Sequence, residues 1–172
     1  MDFKMVQEEN KVNHKFLAFF LNEKNYAFPI LKVNEVIQLP EITPIPKTPN
    51  YMKGIMNLRG QILPIIDLRL ALNMEEAEYG KETCVIIVKI NSECNEKLVG
   101  FVVDCVSEVF EINYLDIEQA PSYGEKLDNN FLKGIGKVKD KIVMLLDIDR
   151  ILSKDEAEVC FDNNLAESGE MF

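Results

Sequence analysis

Short apolar runs, separated by polar and turn-forming stretches, set the pattern of this chain. Residues 16–21 (FLAFFL), 84–90 (CVIIVKI) and 98–103 (LVGFVV) are rich in β-branched and aromatic side chains and bounded by Asn, Glu, Lys or Gly, which predicts strands. Residues 54–58 and 61–66 predict a hairpin whose tight turn contains Arg59 and Gly60, since glycine accepts the positive φ such turns require. Pro64 sits inside a strand pattern and cannot donate to a ladder, so its strand is expected at an edge or at a bulge. Asp67 and Asp147 each precede a short Leu/Ile-rich segment and are placed to cap single helical turns. After Ile151 the sequence turns acidic, with enough Ala, Glu and Leu for one C-terminal helix. Short strands with frequent turns predict an all-β chain of small barrels or a sandwich.

The pattern repeats. Residues 51–72 align without a gap on residues 131–152 at an offset of 80, placing Gly54 on Gly134, Ile55 on Ile135, Ile62 on Ile142 and Asp67 on Asp147. Upstream, residues 26–36 align on 99–109 at an offset of 73, placing Val33 on Val106, Glu35 on Glu108 and Val36 on Val109. The chain is therefore two related units. Shared residues follow from duplication, so the positions that differ call for another explanation. Asn57, Leu58, Arg59 and Gly60 of the first copy face Lys137, Val138, Lys139 and Asp140 of the second. An arginine at a hairpin tip is either a solvated turn residue or a rigid five-donor fork for carboxylates and carbonyls. The four valines are either core residues or the lining of a groove between two barrels.

Composition narrows the choice of partner. The 172 residues are 47% hydrophobic, enough for a real core, and the formal net charge is −10. That balance argues against nucleic acid or an anionic membrane, which need clustered Lys and Arg, and in favour of protein surfaces. Cys84, Cys94, Cys105 and Cys160 form no metal-like spacing and read as reduced thiols, with Cys84 and Cys105 as small core residues. The N-terminal residues are too polar for a signal peptide, and no run reaches the roughly 20 apolar residues of a membrane span. His14 is the one histidine and falls in a polar N-terminal tail, and no GxSxG, Walker A or HExxH motif is present. No enzyme and no cofactor are expected. Barrels this small fill with side chains, which disfavours a ligand-holding or hydrolytic alternative.

The run KGIMNLRGQILPIIDLR, with ILKVNEV upstream and VGFVVDCVSEV and LKGIGKVKDKIVMLLDIDRIL downstream, closely resembles the CheW family of bacterial chemotaxis coupling proteins. The resemblance implies two packed five-stranded SH3-like β-barrels related by internal duplication, with short helical turns and a C-terminal helix as a further possibility. It divides the chain into a polar tail 1–14, a CheW-like domain 15–152 and an acidic tail 153–172. The first barrel would span roughly 15–79 and the second roughly 80–152, with exchange of strands allowed. A non-catalytic adaptor is implied, cytoplasmic and recruited to receptor arrays. It would bridge the cytoplasmic tips of chemoreceptors to the regulatory domain of the histidine kinase CheA, with which it would close rings. An adaptor in a chemotaxis-like pathway with another output is the alternative. By match to the family, Ile30, Val33, Glu35, Val36, Arg59, Val106 and Val109 are implied in receptor binding, and Lys53, Asn57, Arg59, Gly60 and Tyr123 in kinase binding. Tyr123 stands where the family pattern has Phe. A pair of exposed Glu35 and Arg59 would add only about 0–1 kcal/mol to stability, so Glu35 is read as orienting Arg59.

Overall fold

The computed structural model describes residues 13–91, 96–119 and 131–152. Ten strands run in order: β1 (Asn13–Leu21), β2 (Lys24–Pro29), β3 (Val33–Gln38), β4 (Met52–Leu58), β5 (Gln61–Asp67), β6 (Cys84–Asn91), β7 (Glu96–Val103), β8 (Cys105–Asn113), β9 (Leu132–Val138) and β10 (Lys141–Leu146). Two single-turn helices, α1 (Leu68–Ala71) and α2 (Ile148–Ile151), follow β5 and β10. The strands form two five-stranded sheets, ordered β8-β1-β2-β10-β9 and β3-β6-β7-β5-β4.

Those orders are the same order. The two repeat offsets equate β2 with β7, β3 with β8, β4 with β9 and β5 with β10, and with β1 matched to β6 the first sheet maps strand for strand onto the second. Each sheet nevertheless mixes the two units: β1 and β2 join β8, β9 and β10, while β6 and β7 join β3, β4 and β5. The one parallel pairing in each sheet recurs as well, β10 on β2 and β5 on β7. Smaller features repeat in register. Asp67 N donates to Tyr51 O at 2.7 Å and Asp147 N to Phe131 O at 2.7 Å. Thr43 bridges Ile55 as Glu118 bridges Ile135.

Burial explains the unbroken apolar runs. Phe16, Ala18, Ala27, Val143 and Leu145 fill the interior of the first sheet, and Leu63, Ile65, Val85, Ile87 and Val102 that of the second. The alternate residues of the same strands, Leu17, Phe19, Leu21, Phe28, Ile86, Val88, Phe101 and Val103, meet in a third cluster shared by both sheets. Strand side chains point to opposite faces in turn, so a strand with core on both sides must be apolar at every position. Both aspartates cap their helical turns: Asp67 accepts from Leu70 N at 3.3 Å and Asp147 from Asp149 N at 3.1 Å. Asp67 is also buried, and its other carboxylate oxygen accepts the Tyr79 hydroxyl at 2.7 Å. Burial first, and then this hydrogen bond, push the Tyr79 pKa well up.

Several expectations need correcting. β5 is an interior strand, flanked by β4 and β7, and the bulge of its ladder lies at Met52/Gly54 rather than at Pro64. Pro64 is tolerated because pairing with β7 starts only at Ile65. It faces Ile55 on the other side, at a position where, counting from the tight turn, the ladder calls for no hydrogen bond. Cys84 and Cys105 are half-buried at strand ends rather than fully buried, with Cys84 packed against the edge of the shared cluster. His14 lies within β1, exposed, with its ring edge-on to Tyr114 at 5.8 Å. The suggested C-terminal helix falls outside the described residues.

Gly54 is held at φ +145°, and a Cβ there would run into the Thr43 carbonyl that pairs with Ile55. A Cβ on Gly80 would meet open space. Gly54→Ala should therefore lose at least about 1–3 kcal/mol in denaturant unfolding, and Gly80→Ala should stay within about 0.5 kcal/mol of wild type. Equal losses would remove the close approach as the reason for glycine.

Candidate functional site

The tip of the β4–β5 hairpin is built by its own residues. Leu58 pairs with Gln61 across a two-residue turn in which Arg59 (φ 50°) and Gly60 (φ 88°) both take positive φ, the geometry that matches the twist of flanking strands. The Asn57 side chain closes the turn, its Oδ1 accepting from Gly60 N at 2.8 Å. Arg59 Nη2 donates to Glu35 Oε1 from β3, at the opposite edge of the same sheet, in a hydrogen-bonded ion pair. The arginine side chain is 71% exposed and the glutamate 26%. A pair so open to water contributes little stability. What it does is restrict a long side chain and leave most of the guanidinium's five donors facing solvent.

Duplication supplies a second version of this pair. Lys139 lies 3.6 Å from Glu108, and these residues stand at the repeat positions of Arg59 and Glu35. Its turn is built alike, with Lys139 at φ 52° and Asp140 at φ 64°. The chemistry differs: lysine offers a compact point charge where arginine offers a planar fork. No pair of Glu108 with Lys139 was read from the sequence, although the repeat puts each at the position of a member of the first pair.

The other candidates occupy varied settings. Lys53 on β4 is half-buried, its Nζ donating to Glu76 Oε1 at 2.6 Å, a partner that no sequence motif marked. Val33 and Val36 belong to β3 and Val106 and Val109 to β8, outer strands of the two sheets. Val36 and Val109 are exposed, and Val33 and Val106 are half-buried against the shared cluster. None of the four is a fully buried core residue. Ile30, in a 3₁₀ turn at Ile30–Lys32, also packs partly on the shared cluster. Tyr123 lies outside the described residues. Among the described residues no group of three or more His, Cys, Asp or Glu could hold a metal ion. No helix among them is long and apolar enough to cross a membrane.

Where the chain passes between sheets, ion pairs pin it. Between β7 and β8, Asp104 takes both Arg69 Nε at 2.7 Å and Arg69 Nη2 from α1, and accepts Asn22 N from the β1–β2 turn at 2.8 Å. Between β2 and β3, Lys32 lies 3.4 Å from Asp149 of α2. The two corners are equivalent, but the sign is reversed: the cation rides on the helix at one and on the crossover at the other. At Asp104 burial raises the carboxyl pKa, and the hydrogen bonds from Arg69 and Asn22 with the charge of Arg69 outweigh it, leaving the pKa below its ordinary value. No spacing in the sequence signals either clamp.

Comparison with known proteins agrees on one family. The model of the CheW-like domain matches residues 15–156. The chemotaxis protein CheW of Klebsiella aerogenes is 36% identical over 157 residues, covering 91% of each chain, and that of Helicobacter pylori is 35% identical over 149 residues, covering 87% of each. The crystal structure of the scaffolding protein TtCheW from Thermoanaerobacter tengcongensis superposes with a TM-score of 0.75 at 33% identity, covering 84% of this chain and 96% of that one.

A carboxylate whose folded pKa is depressed stabilises the fold above its unfolded pKa and loses that contribution as pH falls through the folded value. Asp104→Asn should accordingly lower the thermal midpoint at neutral pH. The gap to wild type should narrow as pH drops below about 4, the ordinary carboxylate range. A gap that persists in acid would assign the stabilisation to shape rather than to charge.

Proposed function

The chain belongs to the CheW family, and from that premise we propose that it is a non-catalytic coupling scaffold joining chemoreceptor tips to the regulatory domain of the histidine kinase CheA. The observation that carries this reading is the Arg59 fork, exposed at a rigid turn and oriented by Glu35. An exposed pair of so little value to stability makes sense as a contact surface. In this reading the receptor meets Ile30, Val33, Glu35, Val36, Arg59, Val106 and Val109. Val36 and Val109 offer exposed apolar contacts and Val33 and Val106 partly buried ones. A helical receptor tip would lay its apolar face on such positions.

The kinase contacts are assigned to Lys53, Asn57, Arg59, Gly60 and Tyr123, with different roles. Asn57 acts through the turn it closes. Lys53 offers its ammonium only after sharing it with Glu76. A kinase domain of the same architecture could alternate with this protein in closed rings, one end of a barrel on the opposite end of the next. The working location is the cytoplasmic side of receptor arrays.

Calorimetric titration against the CheA regulatory domain and, separately, a receptor signalling-tip fragment tests the reading. Wild type should bind both. Arg59→Ala should keep its thermal midpoint, as exposed turn substitutions usually shift stability by about 0.5 kcal/mol or less, and should weaken binding to at least one partner by about tenfold, or 1.4 kcal/mol. Glu35→Gln should weaken the same arm. Normal binding by Glu35→Gln would end the orienting role, and failure of wild type to bind either partner would overturn the coupling function.

A further inference from the structure

The net charge of −10 is unevenly spread. On the β9–β10 hairpin Lys133, Lys137, Lys139 and Lys141 are all exposed, against Asp140 alone. Lys137 sits directly opposite Ile142, which is 61% exposed, and shares its face; Lys133 lies at the bulge of the same ladder, and Lys141, opposite Val138, lies on the other face of the hairpin. In the equivalent β4–β5 hairpin both cations are engaged, Lys53 by Glu76 and Arg59 by Glu35. On β9–β10 only Lys139 meets a carboxylate, Glu108; Lys133, Lys137 and Lys141 reach none among the described residues. Ammonium groups without close carboxylates along a hairpin that also exposes an isoleucine fit an acidic segment that carries apolar residues of its own.

Such a segment follows in the same chain. Residues 153–172 (SKDEAEVCFDNNLAESGEMF) hold six carboxylate side chains against one lysine, with Val159, Phe161 and Leu165 interspersed. They continue from α2, which directly follows β10. Twenty residues can span up to about 66 Å, several times the roughly 17 Å length of a strand such as β10, so reach is no obstacle. Tethering also raises the effective concentration to the order of millimolar. We propose that the β9–β10 hairpin is the docking surface for residues 153–172 of its own chain. Lys133, Lys137 and Lys141 take its carboxylates and Ile142 its apolar side chains. The contact is electrostatic and reversible, so a partner seeking this hairpin must first displace the segment. This inference does not depend on the coupling function.

A water-soluble carbodiimide, which joins an ammonium to a carboxylate only where they touch, tests it on the full chain. In the monomer fraction, peptide mapping should find residues 155–170 joined to Lys133, Lys137 or Lys141 in preference to the exposed Lys24, Lys47 and Lys81. The links should vanish at about 1 M salt, where the screening length is about 3 Å. Acetylation of Lys133, Lys137 and Lys141 should be slower than that of the three control lysines. It should rise to match them when Asp155→Asn, Glu156→Gln, Glu158→Gln and Asp162→Asn are combined, with no change in thermal midpoint. Links found only in a dimer fraction would assign the hairpin to a second copy. Equal coupling to all lysines, or acetylation unchanged in the variant, would also overturn the proposal.

Discussion

The cluster shared by the two sheets is the constraint on which the rest depends. Phe19, Phe28, Phe101, Ile86 and Val88 come from both sheets, and truncating a buried phenylalanine in such a core costs about 3–5 kcal/mol. The strands that line it also close the separate interiors of their own sheets, so β1, β2, β6 and β7 are apolar on both faces. Exchange of strands between the repeat units adds to this. Neither unit contains a complete sheet, so neither has a closed interior without the other.

That interlocked body leaves the hairpin tips free to differ. Both turns keep the same backbone, positive φ at two consecutive residues, and the same glutamate at the repeat position on the partner strand. Only the side chains diverge, Arg59 with Gly60 against Lys139 with Asp140. Because these pairs lie in water they contribute little to stability, and their identity can change without cost to the fold. The corner pairs Arg69–Asp104 and Lys32–Asp149 are different in kind: less exposed and multiply bonded at Asp104, they fix how the chain passes from one sheet to the other. Both corners carry a pair, with its polarity reversed from one to the other.

Much of this was legible in the sequence, and the reasons are local. Constant offsets revealed the repeat, Arg59–Gly60 the tight turn and Asp67 and Asp147 the helical caps, each a matter of a few neighbouring residues. Strand exchange was allowed for by the family resemblance but could not be derived from the residues, because burial on both faces erases the alternation that would tell inside from outside in β1 or β6. Pro64 misled for a related reason: the rule that sends proline to an edge assumes that pairing extends along the whole strand, and here the pairing with β7 starts one residue later. Cys84 and Cys105 looked like core residues within apolar runs, yet each sits at a strand end where the run meets the surface. At the site, Glu35 and Arg59 could be read, whereas the partnership of Lys53 with Glu76 and the clamp on Asp104 join residues 23 and 35 positions apart with no motif to connect them.

A duplicated fold with unequal tips has a consequence for assembly. Two identical halves would present the same surface twice, and self-complementary contacts would then compete with contacts to other partners. Here one tip displays a planar fork oriented by a partly buried glutamate, and the other a cluster of point charges with only one close counter-charge among the described residues. The fork rewards directional hydrogen bonding, while the lysine cluster attracts any acidic surface and yields to salt. Duplication thus supplied two equivalent platforms and side-chain divergence gave them different recognition chemistry, without disturbing the core that holds both.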